Sequence, residues 1–148
     1  MIPPPIPAPL ADTPYVYWVR VTFSDLDALS HVNNAVYATY FESARIAYYQ
    51  DLTGMTLEEL NIILAEITIS YKAPAFFDQW LAIGVKIESI GTKSFTMSYT
   101  AVRASDEALI ATGRSVQVFY DYPSGHTVPA TDLFRRKVAE RQAMKNEK

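Results

Sequence analysis

The sequence predicts an α+β domain in which one long helix packs against a largely antiparallel sheet. Three observations carry that prediction. An early segment alternates with period two, a helix-period stripe follows it directly, and four later strand-like segments are joined by short turns. The 148 residues, 49% of them hydrophobic, suffice for a single domain with its own core. An aromatic content of 13% argues against a disordered chain.

Residues 1–14 hold six of the nine prolines (Pro3, Pro4, Pro5, Pro7, Pro9 and Pro14) and read as a flexible arm of polyproline II character. Residues 15–130 form the predicted domain. Tyr15, Tyr17, Val19, Val21 and Phe23 fall on one face of a first strand. The period then changes: apolar residues at 36, 37, 40, 41, 44, 47 and 48 make the broad stripe of a helix buried on one side. Asn33 and Asn34 stand where an Asx side chain can cap its first amides, and Gly54 is a plausible stop. Thr56 and Glu59 have the spacing of a capping box, which starts a short helix.

Strands are then expected over 67–71, 81–90, 94–102 and 109–120. Asp78, Gly91 and Asp106 mark turns short enough for an antiparallel meander. Gly84 and Gly113 lie inside strand patterns, where a glycine often marks a bulge or a close backbone approach. Residues 131–148 read as a basic surface helix or tail, with Leu133, Val138 and Ala139 on its apolar side.

Composition removes several kinds of chemistry. With no cysteine there is no disulfide, no thiolate nucleophile, no iron–sulfur cluster and no sulfur-ligated zinc. The two histidines, His31 and His126, cannot make an all-histidine metal site, so neither metal nor cofactor is expected. A net charge of −3 gives no electrostatic reason to expect nucleic acid. The amino terminus lacks the basic start and unbroken apolar core of a secretory signal, and no apolar run approaches the roughly 20 residues of a membrane helix. The chain reads as soluble and compatible with the cytoplasm.

Polar groups concentrate between the first strand and the long helix. Asp25, Asp27, Ser30, His31, Asn33 and Asn34 fall within one short loop, and loops on a rigid scaffold commonly carry catalytic groups. The helix that follows presents free N–H groups and a partial positive charge, which can polarise a carbonyl. A carboxylate beside such donors suits hydrolysis of an activated acyl group, by accepting a proton from water or by attacking the carbonyl itself. The residues alone also fit a loop whose Asp and Asn side chains only make turns and caps. Ser30 and His31 are neighbours that cannot work as nucleophile and base, and Asp25, Asp27 and His31 are few ligands for a metal.

The run Asp25-Leu-Asp27-Ala-Leu-Ser-His31-Val-Asn33-Asn34-Ala-Val-Tyr37, followed by Tyr40-Phe41-Glu42-Ser-Ala-Arg45, resembles the signature of hotdog-fold acyl-CoA thioesterases. The closest group is the 4-hydroxybenzoyl-CoA thioesterase-like family, and the HVNN segment is shared with acyl-ACP thioesterases. The resemblance covers about residues 15–130, including Tyr71-Lys72-Ala73-Pro74. It implies a hotdog fold, a long central helix wrapped by an antiparallel five-stranded sheet.

It also implies that Asp27 is the catalytic base or nucleophile, and that a backbone amide near Asn34 polarises the thioester carbonyl. His31 matches the histidine of the acyl-ACP branch, but Leu29 stands where that branch has asparagine, which favours the simpler carboxylate mechanism. Asp25 is expected to support Asp27. Glu42 and Arg45 have ion-pair spacing and read as structural. Lys93 and Ser94, on the turn Gly91-Thr92-Lys93-Ser94, match a region that lies near pantetheine or nucleotide in the family. Tyr37, with Tyr40 and Phe41, would flank the acyl group.

The implied activity is hydrolysis of an acyl-CoA, a fatty acyl-CoA in the first instance, to free acid and CoA without a cofactor. The implied assembly is a homodimer or homotetramer with the active site at the subunit interface. Acyl-ACP hydrolysis and a non-catalytic acyl-binding module on the same scaffold are the alternatives.

Overall fold

The structure is a computed structural model, and it describes residues 1–146. The first strand, β1, spans Tyr15–Arg20, and the long helix, α1, spans Val36–Thr53. Strands β2 (Ile62–Tyr71), β3 (Trp80–Ile90), β4 (Ser94–Arg103) and β5 (Leu109–Asp121) follow. A two-residue strand β6 (His126–Thr127) and a second helix, α2 (Asp132–Asn146), complete the order. The tail expected over 131–148 is thus helical to Asn146, and its last two residues lie outside the described residues.

All strand pairs are antiparallel, in the order β1-β3-β4-β5-β2, with β6 beside β5. The long helix lies against this curled sheet, so the fold is the hotdog that the sequence resemblance implied. The expected meander holds for β3, β4 and β5. It does not hold for β2, which pairs with β5 at the far edge instead of lying beside β3, because β1 occupies that side of β3.

The sheet buries its helix-facing side by simple alternation. Phe95, Met97, Tyr99 and Ala101 of β4 are each almost fully buried, as the period-two pattern requires. From α1, Tyr37, Tyr40, Phe41, Ala44, Tyr48, Tyr49 and Leu52 point into the same core. Phe41 stacks on Tyr99 at 4.8 Å between ring centroids, and Tyr49 on Phe95 at 5.9 Å. Burial of each such ring contributes roughly 1.5–3 kcal/mol, and stacking adds to it. The helix ends where Gly54 takes the left-handed conformation, φ 75°, and returns its amide to the Gln50 carbonyl.

Neither strand glycine marks a bulge or a close backbone approach: both make room for side chains, and the bulges fall elsewhere, at Leu64/Glu66, Ile87/Ser89 and Ala101/Val102. A Cβ on Gly113 would lie 2.7 Å from Cε2 of Phe41. On the opposite side of the sheet, a Cβ on Gly84 would lie 2.8 Å from Cδ2 of Leu10. The segment expected as a flexible arm therefore has a packed portion. Residues 8–10 form a 3₁₀ turn, Leu10 is buried with Ala82 and Val102, and the Ala8 amide donates to Glu107.

Several details differ from the sequence reading, among them β2, which starts at Ile62 and not at residue 67. The first strand stops at Arg20, and the chain turns into a 3₁₀ segment at Phe23–Asp25, which leaves Phe23 exposed. The capping box at Thr56 is present but opens only a 3₁₀ turn, Leu57–Glu59. In α2 the buried residues are Phe134 and Val138, one helical turn apart, while Leu133 is half exposed. Arg141 of α2 meets Asp51 of α1 at 2.7 Å, and Gln142 donates to the Ile87 carbonyl.

The Gly113–Phe41 contact generates a stability prediction. Gly113→Ala is expected to lower unfolding free energy by about 1–3 kcal/mol, since a buried ring has nowhere to move. Gly84→Ala meets only a flexible leucine end and is expected to cost less. Urea denaturation of both variants checks the order.

Candidate active site

The loop between β1 and α1 is fixed at three levels before any chemistry is considered. At its start, Thr22 and Asp25 form a capping box: the Thr22 amide donates to Asp25 Oδ2 at 2.9 Å. Next, residues 27–31 form a tight turn. The Asp27 amide donates to the His31 carbonyl, the Ser30 amide donates to the Asp27 carbonyl, and Ser30 takes φ 67°. Finally, the buried Val32 donates its amide to Ala75, and His31 bridges to Phe76, which ties the loop to the segment after β2.

This scaffold gives the two aspartates different tasks. Asp25 points at the helix, where its Oδ2 also accepts from the buried Tyr40 hydroxyl at 2.7 Å. Partial burial pushes the Asp25 pKa up, but the Thr22 amide and the Tyr40 and Thr22 hydroxyls outweigh it, so the net shift is downward. Tyr40 is correspondingly held far above the usual phenol range by burial and by that carboxylate. Asp27 faces the open side. Its Oδ1 accepts the Leu29 amide at 2.8 Å, and its Oδ2 lies 3.8 Å from His31 Nδ1. Both side chains remain about 30% exposed. At position 29 it is therefore the backbone, with the leucine side chain turned to solvent, that orients Asp27.

Asn33 organises the helix start. Its side-chain oxygen accepts the Ala35 amide at 3.0 Å and its carbonyl accepts the Val36 amide at 2.9 Å. Asn34, one residue on, has its carbonyl held by the Tyr71 hydroxyl at 3.0 Å. The expected Asx cap is not formed: Ala35 is the N-cap residue and no side chain caps the first helical amides, because Asn33 spends its side-chain oxygen on an Asx turn to the Ala35 amide and Asn34 does not reach back.

An open cleft of about 190 Å³ lies against this helix start, lined by His31, Val32, Asn34, Tyr37, Tyr71, Lys72, Ala73 and Pro74. Tyr37 packs edge-on to Tyr71 at 5.5 Å, and burial pushes its hydroxyl up to about 12. The structure therefore brings His31, Asn34 and Tyr37 to one cleft, with Asp27 beside His31. Tyr71 and Lys72 join them, although the sequence reading did not assign them a site role. Their signal was present in the Tyr71-Lys72-Ala73-Pro74 stretch, because a proline ending an edge strand turns the chain toward the helix start.

Lys93 and Ser94 are elsewhere. They sit on the β3–β4 turn, at the opposite end of β3 from Trp80, which pairs with Arg20 where the loop begins. Ten residue steps of strand separate the two ends, roughly 33 Å of chain. One chain alone does not place these residues with Asp27. Glu42 meets Arg45 at a loose 4.0 Å, and its side chain is largely exposed. Arg45 is buried and donates instead to the Tyr99 hydroxyl at 3.2 Å, which pairs with Ser115; Ser115 in turn bonds Gln117. Among the described residues, no group of three or more His, Asp or Glu side chains is disposed to hold a metal ion, and no helix is long and apolar enough to cross a membrane.

The sequence profile of the thioesterase-like superfamily matches residues 21–139, a span that contains the loop, the cleft and most of the sheet. The uncharacterized protein YsmA of Bacillus subtilis (strain 168) is 30% identical over 131 residues, which span 82% of this chain and 88% of that protein. The long-chain acyl-CoA thioesterase FadM of Escherichia coli (strain K12) is 23% identical over 125 residues, 82% of this chain and 95% of FadM. Among solved structures, a thioesterase from Thermus thermophilus complexed with coenzyme A and Zn superposes with a TM-score of 0.81 at 30% identity, covering 89% of this chain and 96% of that one.

The Asp25 anchor has a pH signature. A carboxyl whose folded pKa is depressed adds stability above its unfolded value, and that stability is lost as pH falls through the folded value. Asp25→Asn is therefore expected to destabilise the protein at pH 7 but to make little difference well below about pH 4. Urea unfolding of both proteins at the two pH values tests this.

Proposed function

The chain belongs to the thioesterase-like superfamily and is a thioester hydrolase, and from that premise we propose that it hydrolyses fatty acyl-CoA with Asp27 as the reacting carboxylate. The observation that carries the reading is that His31, which lines the cleft at the helix start, lies 3.8 Å from Asp27, which is itself outside that lining. A partly exposed carboxylate, held by the Leu29 amide and His31, stands beside a cleft whose wall includes Asn34. Asn33 occupies the amides of Ala35 and Val36, so the Asn34 amide is the donor assigned to the thioester carbonyl.

The chemistry then needs few parts. As a base, Asp27 takes a proton from water while the water oxygen attacks the carbonyl carbon. The developing oxyanion is held by the Asn34 amide at the positive end of α1. Collapse expels the CoA thiolate, which leaves with the proton, and the free acid follows. As a nucleophile, Asp27 attacks first, the C–S bond breaks to expel the CoA thiolate, and water opens the resulting mixed anhydride to the free acid and the Asp27 carboxylate, its released proton going to the thiolate. Both routes use the same atoms. His31 orients Asp27 and lines the cleft. Tyr37 and Tyr71 flank the acyl group. Lys72, at the cleft rim, is a cation suited to the anionic parts of the substrate.

In this reading a second copy completes the site. β2 is an edge strand paired only with β5, and its Ile63, Leu64 and Tyr71 side chains are exposed. A bare apolar edge of this kind invites pairing with another strand. An antiparallel partner would bring the far end of its own sheet, with Lys93 and Ser94, toward the first chain's Tyr71. The preference for fatty acyl over aromatic esters rests on the length-spanning match to FadM. A CoA ester as substrate fits the cytoplasmic expectation from the sequence.

Asp27→Asn is expected to lower kcat by at least about 100-fold while leaving the circular dichroism spectrum unchanged. Rates over a panel from acetyl- to palmitoyl-CoA, with benzoyl-CoA and a matched acyl-ACP included, should peak on a fatty acyl-CoA. Full activity of the Asp27→Asn protein would overturn the mechanism, and a peak on the aromatic or carrier-protein ester would overturn the substrate class.

A further inference from the structure

A second cavity, of about 120 Å³, lies apart from the cleft and shares none of its lining residues. It opens where the end of α1, the end of β5 and the start of α2 meet. Its walls are apolar: Tyr49, Met55, Phe119, Val128, Leu133 and Phe134. The rings pack on one another, Phe119 against Phe134 at 5.1 Å and Tyr49 against Phe134 at 5.8 Å, so the floor is rigid. An apolar protein cavity of about 150 Å³ stays dry and takes up benzene. This one is of comparable volume, but it opens to solvent and so holds water.

Its mouth is polar, with Lys137 as the charged side chain in the lining and Asp132 in the adjoining first turn of α2. Lys137 lines it and reaches the Thr53 carbonyl only at a long 3.5 Å, so its ammonium has capacity left for an anion. Thr131 and Leu133 place the amino end of the 15-residue helix α2 at the opening. Asn61 spends its side-chain oxygen on the Tyr49 hydroxyl at 2.7 Å, which leaves its NH2 as the group that can donate. The opening is also held in place. The Phe134 amide donates to Thr131 Oγ1, the Ala130 amide to the Thr92 carbonyl, and Arg135 to the Gly91 carbonyl.

We infer that this cavity is a second ligand site, which takes a small apolar monocarboxylate of about benzoate size, ring or short chain inward and carboxylate against Lys137. The apolar wall gains by shedding poorly held water, and the charge pairs at the mouth where α2 begins. The cavity is too small for a long fatty acid, so its ligand is a small carboxylic acid distinct from the long-chain product proposed above. The assignment of the cavity rests on its own geometry and stands whether or not Asp27 is the catalytic group.

Calorimetric titration of the full chain with benzoate, and with benzyl alcohol as the uncharged control, tests the site. Benzoate is expected to saturate the protein, and Lys137→Gln, on the surface of α2, is expected to weaken it about tenfold with benzyl alcohol unchanged. Val128→Trp, which fills the cavity, is expected to abolish both, and Asp27→Ala to affect neither. The inference is overturned by absence of saturation at about ten millimolar benzoate, by benzoate binding that ignores Lys137→Gln, or by binding that vanishes in Asp27→Ala. The last outcome would place the acid in the Asp27 cleft.

Discussion

Helix α1 can lie on its sheet only as closely as Gly113 permits. The Phe41 ring occupies the volume that any other residue at 113 would claim, and it stacks there on Tyr99. From that contact follow the depth at which Tyr37, Tyr40, Ala44 and Tyr48 enter the core and the height at which the helix start stands above the β1–α1 loop. A sheet that held α1 farther away would leave Tyr40 short of Asp25. The loop that carries Asp27 is thus positioned by packing many residues from it.

Polar groups inside the fold serve the same end. Arg45 is a buried cation whose nearest carboxylate, Glu42, lies at the rim, and the interior answers it with hydroxyls and an amide through Tyr99, Ser115 and Gln117. A buried charge without such partners would be strongly destabilising. The chain from helix to β4 to β5 ties three elements by hydrogen bonds across a core otherwise made of rings and aliphatic side chains. Asp25 and Tyr40 repeat the device at the edge of the core. One carboxylate is spent on holding the loop, and the other stays open to solvent.

Periodicity made most of this fold legible. Strand β4 could be read almost to the residue because its two faces differ, and α1 because its stripe has one buried side. Strand β2 was read late, from residue 67, because Ile63 and Leu64 point outward and erase the alternation that marks a half-buried strand. Its place at the far edge was not legible, since turn lengths do not say which neighbour a strand chooses. At the site, Asp27, His31 and Asn34 stood together in sequence, so their proximity came with the loop. Tyr71 and Lys72 reach the same cleft from a distant strand, a relation fixed by the β2–β5 register. Lys93 sits at the other end of the sheet, where only a second chain could bring it near.

The proline-rich lead segment also has a bearing on the outer side of the sheet. Leu10 supplies, from outside the sheet, the side-chain volume that Gly84 lacks, with Thr13 beside it. Prolines restrict the free chain before it docks, so a strap with few contacts loses less entropy on ordering. Without that strap the sheet would present an apolar trench over Ala82, Gly84 and Val102 on the side away from α1.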